Sequence, residues 1–234
     1  MESDPLGGYL LHKQSSREYK AGPHTLMDDQ AWTNSFLGLP FEDSISVNLS
    51  PMVLLSRASD FKDPPVGVVV AGADIQVDRI ELEILGLGRG EEAWSLEYLS
   101  LPGSPFEQSV WLHLDDVLQR KYLGLPVAAC CIDSAFASSQ VYSFCSTRFH
   151  RKIFAIRGTH DQTHPIWTRR PSRPKGGRQA NLYTIGTPVL KKLILARLGI
   201  EREGPGFMHH PIRDLNFFEQ LLNERPVRRF RLPT

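Results

Sequence analysis

Val66-Gly-Val-Val-Val-Ala-Gly-Ala-Asp74-Ile75 is an apolar, valine-rich run with a single carboxylate near its end. Its length and β-branched content fit a strand buried on both faces, as in the centre of a layered α/β domain. Next along the chain, residues 79–87 alternate Ile80, Leu82 and Ile84 against Glu81, Glu83 and Leu85, which suits an adjacent antiparallel strand. Residues 92–99 can supply a third strand, with Arg89-Gly-Glu-Glu92 as the turn, giving a three-stranded meander. Phe106, Val110, Leu114, Val117 and Leu118 then recur at helical spacing across 105–122, with Ser104 placed to cap the start. Strands over 127–132, 152–156, 181–185 and 206–209 and helices over 138–149, 187–198 and 214–224 complete the reading. This order predicts an α/β fold, a mixed central sheet with helices on both faces.

Residues 1–65 read differently. Short helices fit 28–37 and 50–57, a turn fits 39–43, and Asp63-Pro-Pro65 halts regular structure. The expectation is an irregular N-terminal extension over 1–65, packed on the surface or partly mobile, ahead of a domain over 66–234. The length of 234 residues, with 41% hydrophobic and 23% charged residues, is ordinary for a globular protein with a real core. No apolar run approaches the roughly 18 residues needed to cross a bilayer. The acidic Met1-Glu-Ser-Asp-Pro5 is no secretory leader, so a cytoplasmic location without a membrane partner is expected. Gly-x-x-x-x-Gly-Lys-Ser/Thr is missing, which excludes an ATP motor in this chain. Cys130, Cys131 and Cys145 lack disulfide or zinc spacing and are expected to be reduced, mostly buried thiols.

The net charge of +1 conceals a polarity. Residues 1–147 carry 9 Lys/Arg and 20 Asp/Glu, whereas 148–234 carry 18 and 6. Such asymmetry suggests a polyanion-binding surface beside an acidic one. Nine of the basic residues lie in 148–178 against the single Asp161, around the Pro- and Gly-rich Thr168-Arg-Arg-Pro-Ser-Arg-Pro-Lys-Gly-Gly-Arg178. A flexible basic loop of this kind can adapt to a phosphate backbone with salt-dependent affinity. Arg157, Arg169, Arg170, Arg173, Lys175 and Arg178 are the candidate DNA contacts, and Trp167 or His164 could stack on a base. A solvated loop with no partner is the bland alternative.

Asp74 and Asp133 each sit at the end of an apolar strand-like run. A carboxylate there is poorly solvated unless it meets a cation, a donor or a turn. On neighbouring strands the two would share one edge, and a hard divalent cation such as Mg²⁺ can be held by a few carboxylates with water and substrate phosphate. A turn or helix cap is the alternative for either residue alone, and Asp133-Ser134 could cap the following helix. Asp78, in the turn, could assist a metal or simply be solvated. Glu81, Glu83, Asp115 and Asp116 are expected at the surface, and His209-His210 is a weak metal candidate because adjacent strand residues point apart.

Ala71-Gly-Ala-Asp-Ile-Gln-Val-Asp-Arg-Ile-Glu-Leu-Glu83 and Gly86-Leu-Gly-Arg-Gly-Glu-Glu-Ala-Trp94 resemble the nuclease domain of lambda-like large terminase subunits, the phage DNA-packaging proteins. The resemblance continues in order through Ile132-Asp-Ser134, Val141-Tyr-Ser-Phe-Cys145, Phe154-Ala-Ile-Arg-Gly158, Ser172-Arg-Pro-Lys-Gly176, Tyr183-Thr-Ile-Gly-Thr187 and Phe217-Phe-Glu-Gln-Leu221. Ahead of it, Trp32-Thr-Asn-Ser-Phe-Leu-Gly-Leu-Pro-Phe-Glu42 is similar to the end of that family's ATPase domain. The resemblance implies a ribonuclease-H-like fold and a metal-dependent endonuclease that cuts concatemeric viral DNA. It implies Asp74 and Asp133 as first- and fourth-strand acids holding two Mg²⁺ or Mn²⁺ ions, with double-stranded DNA, a small subunit, the ATPase domain and the portal as partners. The chain departs from the family's pattern at its end: Arg231-Leu-Pro-Thr234 arrives without the further acidic motif that completes the family's metal site. That departure keeps open a catalytically inactive remnant, such as a prophage relic, that acts as a DNA-binding or assembly module.

Overall fold

The computed structural model describes residues 49–174 and 180–223. The helix expected over 28–37 lies outside them. In the described part, α1 (Pro51–Arg57) is capped by Ser50, whose side chain accepts from the Val53 amide. The elements that follow are β1 (Val68–Ile75), β2 (Arg79–Leu87), β3 (Ala93–Pro102), α2 (Gln108–Leu118), β4 (Lys121–Tyr122), β5 (Leu125–Asp133), α3 (Ser138–Arg148), β6 (Ile153–Thr159), β7 (Leu182–Gly186), α4 (Thr187–Leu198), β8 (Met208–His209) and α5 (Leu215–Asn223).

Seven of the strands lie in the order β7-β6-β5-β1-β2-β3-β8, and β4 pairs with β5 off that path. The predicted meander is present, since β2 runs antiparallel to both β1 and β3. β5, β6 and β7 then add in parallel on the other side of β1. The α/β expectation of a mixed sheet therefore holds. Because β2 alone is reversed within β1–β3, the C-terminal ends of β1, β3, β5, β6 and β7 all reach one edge.

The strand alternation divides the sheet into two faces. Ala71, Ala73, Ile75, Ile80, Leu82, Ile84, Cys130 and Ile132 point to one face and pack with Val110, Trp111, Leu114 and Val117 of α2 and Val141, Tyr142 and Phe144 of α3. A second cluster joins Leu49 and Leu54 to Leu198 of α4 and Phe218 and Leu222 of α5. α5 lies over the opposite face at β2–β3, where Phe217 meets Tyr98 edge to face. Thus part of the stretch expected as a surface extension contributes core residues.

β1 departs from expectation. Its burial alternates rather than staying continuous, and Val68, Gly72 and Asp74 are exposed. A Cβ added at Gly72 would meet nothing within 4 Å. The apolar run reads as two-sided burial, but one side of the central strand is an open floor between the helices. Ser104 also departs: it accepts from the Phe106 amide in a local turn, and α2 begins later, after Glu107. The end of the predicted helix becomes the β4–β5 hairpin.

Candidate functional site

β1 and β5 pair in parallel with Ala73 opposite Ile132, so Asp74 and Asp133 are the next residues along adjacent strands. Neighbouring strands are about 4.8 Å apart. Since Ala73 and Ile132 both face the α2–α3 core, both carboxylates project onto the opposite, open face. The sequence expectation that these two acids share one edge is met by the backbone register.

Each carboxylate is oriented by a local donor. Gln76 Nε2 donates to Asp74 Oδ2 at 2.5 Å. The Ala135 amide donates to Asp133 Oδ1 at 3.3 Å, the turn anticipated as the alternative for this residue. Burial raises the pKa of the Asp133 carboxyl, and the nearby Asp74 charge adds to the rise; the backbone donor and Arg157 oppose it. A partly buried carboxylate beside a second one is chemistry that a divalent cation can satisfy. Among the described residues no group of three or more His, Cys, Asp or Glu side chains is placed to hold a metal ion. Two carboxylates completed by water and phosphate remain a normal donor set for Mg²⁺.

The other candidates separate. Asp78 lies in the β1–β2 turn, its side chain 73% exposed and paired with Arg79 at 2.8 Å. Arg157 stands at the rim beside Asp133, its Nη2 donating to Ser134 O at 3.1 Å and Ser138 Oγ at 3.3 Å. Arg169, Arg170 and Arg173 are exposed, whereas Lys175 and Arg178 lie outside the described residues. The described part of the basic loop is not free. Thr168 and Ser172 exchange hydrogen bonds with Thr184 and Leu182, so the segment runs along the edge of β7 with its arginines outward. Trp167 stacks on Tyr183 with centroids 4.6 Å apart and meets Phe154 edge to face. His164 Nδ1 contacts Pro165 O instead.

Several residues placed at the surface by the sequence reading are engaged. Asp74 pairs across the β1–β2 hairpin with Glu81, which takes hydrogen bonds from Arg79, Tyr98 Oη (2.6 Å) and Ser100 Oγ (3.4 Å). Glu83 is bound by Ser95 and Arg213 under α5, and burial raises its carboxyl pKa. The hairpin turn held the signal for Glu81: a tight turn at 76–79 sets residues 74 and 81 opposite each other. Asp115 is held by Arg148 and Arg151, while Asp116 is exposed as expected. His209 stacks on Trp94 and pairs with Glu92, which leaves it a structural residue. The three cysteines are free, and burial pushes Cys131 up to about 11 and Cys145 up to about 12, as inert thiols require.

Comparison with known proteins agrees with the resemblance read from the motifs. The family described as "Terminase large subunit gpA, endonuclease domain" matches residues 14–232. The large terminase subunit of Escherichia phage lambda is 26% identical over 218 residues, covering 86% of this chain and 34% of the relative. That of Enterobacteria phage P21 is 24% identical over 180 residues, covering 72% of this chain and 27% of the relative. The chain therefore spans about a third of the length of the curated relatives it matches. No solved structure matches it. With the family match running over nearly the whole sequence and through both strand-end aspartates, the chain belongs to the endonuclease-domain family of the gpA-type terminase large subunit.

Proposed function

We propose that this chain is a Mg²⁺- or Mn²⁺-dependent DNA endonuclease of ribonuclease-H-like fold that cuts concatemeric viral DNA during packaging. The observation that carries the reading is the placement of Asp74 and Asp133 side by side on one open face, at the edge where five strands end. An antiparallel meander extended by parallel strands is compatible with the ribonuclease-H-like fold. When bound, the divalent ions would supply a water nucleophile and screen the phosphate charge. Asp74 and Asp133 would hold them, with Gln76 and the Ala135 amide fixing the carboxylate orientations.

Arg157 is held at the same rim and can donate to a phosphate oxygen. The helices α2, α3 and α4 all start beyond this edge, and none has a side-chain cap on its first turn, so their amides face the side from which DNA would approach. Arg169, Arg170 and Arg173 extend the cationic surface along β7, with Lys175 and Arg178 as further proposed contacts. A small subunit, the ATPase domain and the portal are the proposed partners, in the cytoplasm of the bacterial host. Among the described residues no helix is long and apolar enough to cross a membrane.

The test is conversion of supercoiled plasmid to nicked and linear forms with Mg²⁺ or Mn²⁺. Wild type should cut, and Asp74→Asn and Asp133→Asn should each lower the rate at least about a hundredfold, the scale of a lost charge-stabilising group. Equal cutting by wild type and Asp74→Asn refutes the assignment. A non-catalytic DNA-binding module is the second reading, favoured by the lack of a third metal-binding side chain among the described residues. It requires that DNA affinity persist while no metal-dependent cutting occurs.

A further inference from the structure

Large apolar side chains are exposed on the very edge that carries Asp74 and Asp133. Val77 in the β1–β2 turn is 72% exposed, Phe106 beyond the end of β3 is 65% exposed, and Phe136, three residues after Asp133, is 38% exposed. Phe106 and Phe136 come from separate connections yet meet edge to face, with centroids 6.0 Å apart and planes at 80°. Neither ring belongs to the two core clusters, so the fold gains little from them. Adjacent exposed aromatics on a globular domain mark a contact surface.

The surroundings of the pair say what the contact is. The uncapped first turns of α2 and α3 begin at Gln108 and Ser138, each two residues beyond one of the rings, and Arg157 is fixed to Ser138 and Ser134. Arg157 and the first-turn amides of α3 thus put anion-attracting donors beside the Phe136 ring, while the exposed Glu107 carboxylate stands at the start of α2 next to Phe106. A nucleic acid strand offers both phosphates and flat base faces, whereas an apolar protein patch would leave those donors unmet.

We infer that Phe106 and Phe136 contact DNA bases at the edge where β3 and β5 end, on the side of α2 and α3, stacking on or wedging against a base pair opened there. The inference takes its ligand from the proposed function but does not depend on catalysis.

The test measures equilibrium binding of the full chain, without divalent metal, to a short fully paired duplex and to the same duplex with a central mismatched bubble. Wild type should prefer the bubble. Phe106→Ala/Phe136→Ala should lose about fivefold to a hundredfold of bubble affinity, the scale of base–aromatic stacking. Its salt dependence should match wild type, because no phosphate contact is removed. Arg169→Ala/Arg170→Ala, by contrast, should weaken both duplexes and flatten the salt dependence. Phe106 is largely exposed but Phe136 is mostly covered, so the double variant should fold with a modestly lowered Tm; Phe106→Leu/Phe136→Leu provides a second variant that keeps apolar bulk and loses only stacking.

No bubble preference in wild type, or a preference that survives both double variants, overturns the inference. So does a parallel loss on both duplexes, or self-association that disappears with the rings, which would assign the surface to a second copy of this chain. A bubble preference that depends on the rings, in a protein that cuts no plasmid, upholds the inference while the nuclease reading fails.

Discussion

His210 should make this protein lose stability as the medium turns mildly acidic. The residue connects β8 to α5, is 9% exposed, and has no hydrogen-bond partner on either ring nitrogen among the described residues. Its ring packs against Phe218 at 5.8 Å and Phe217 at 6.3 Å. Burial, helped by the charges of Arg213 and His209, pushes its pKa down from 6.5 to about 4. A base with a depressed folded pKa is neutral when folded and binds its proton when the chain unfolds. Stability from this group is therefore full above the unfolded value and declines as pH falls from there toward the folded one. With those two values, moving from pH 7 to pH 5 removes about 2 kcal/mol. For a domain this size that is a fall in Tm of roughly 4–8 °C. The perturbation is His210→Phe, which keeps an aromatic ring and removes the titration. Urea melts of both proteins at pH 7 and pH 5 give the double difference, in which carboxylates common to the two proteins cancel. Wild type should lose about 2 kcal/mol more than the variant over that interval. Equal losses would refute the reasoning, because the imidazole would then be reaching a proton or a partner in the folded state.

Further expectations follow from the same geometry. Asp115→Ala should cost about 1–3 kcal/mol by leaving Arg148 and Arg151 half-buried without their shared carboxylate, measured by urea denaturation. Arg148 and Arg151 hold the Asp115 carboxyl below its ordinary range, so the stability it supplies above that range should vanish as pH drops through it. Gly186→Ala should destabilise by at least about 1 kcal/mol, since its Cβ would lie 2.4 Å from His164 O and 2.6 Å from Pro165 O. Gly72→Ala, with nothing within 4 Å, should change stability by less than about 0.5 kcal/mol. A large loss at Gly72 in a thermal melt would mean that the floor of β1 is not open.

Periodicity made most of the sheet legible. The alternation in 79–87 placed β2 with the bounds Arg79–Leu87, and the amphipathic run placed α4 with the bounds Thr187–Leu198. What it could not show was which face of an apolar strand stays uncovered. Val68, Val70 and Gly72 look as buried as Val69 and Ala71 in sequence, and only the placement of α4 and α5 decides between them. The two strand-end acids were visible because a charge ending an apolar run is conspicuous. Asp74 and Asp133 become partners only through the parallel crossover that sets β5 beside β1. Alternation marks a second face at Glu81 and Glu83 without saying what covers it; Arg213, 130 residues after Glu83, covers Glu83, while Glu81 is bonded by Arg79, Tyr98 and Ser100. The basic loop was legible as charge, while its course along β7 depends on backbone bonds from Thr168 and Ser172 that composition does not encode.

In the proposed function Asp74 and Asp133 together hold a divalent cation. Calorimetric titration of Mn²⁺ into the full chain and into Asp74→Asn and Asp133→Asn tests it most directly. Wild type should show saturable binding that each single substitution abolishes or weakens at least about tenfold. Mn²⁺ binding that is unchanged in both variants, or absent from a wild-type protein that still cuts DNA, would contradict it.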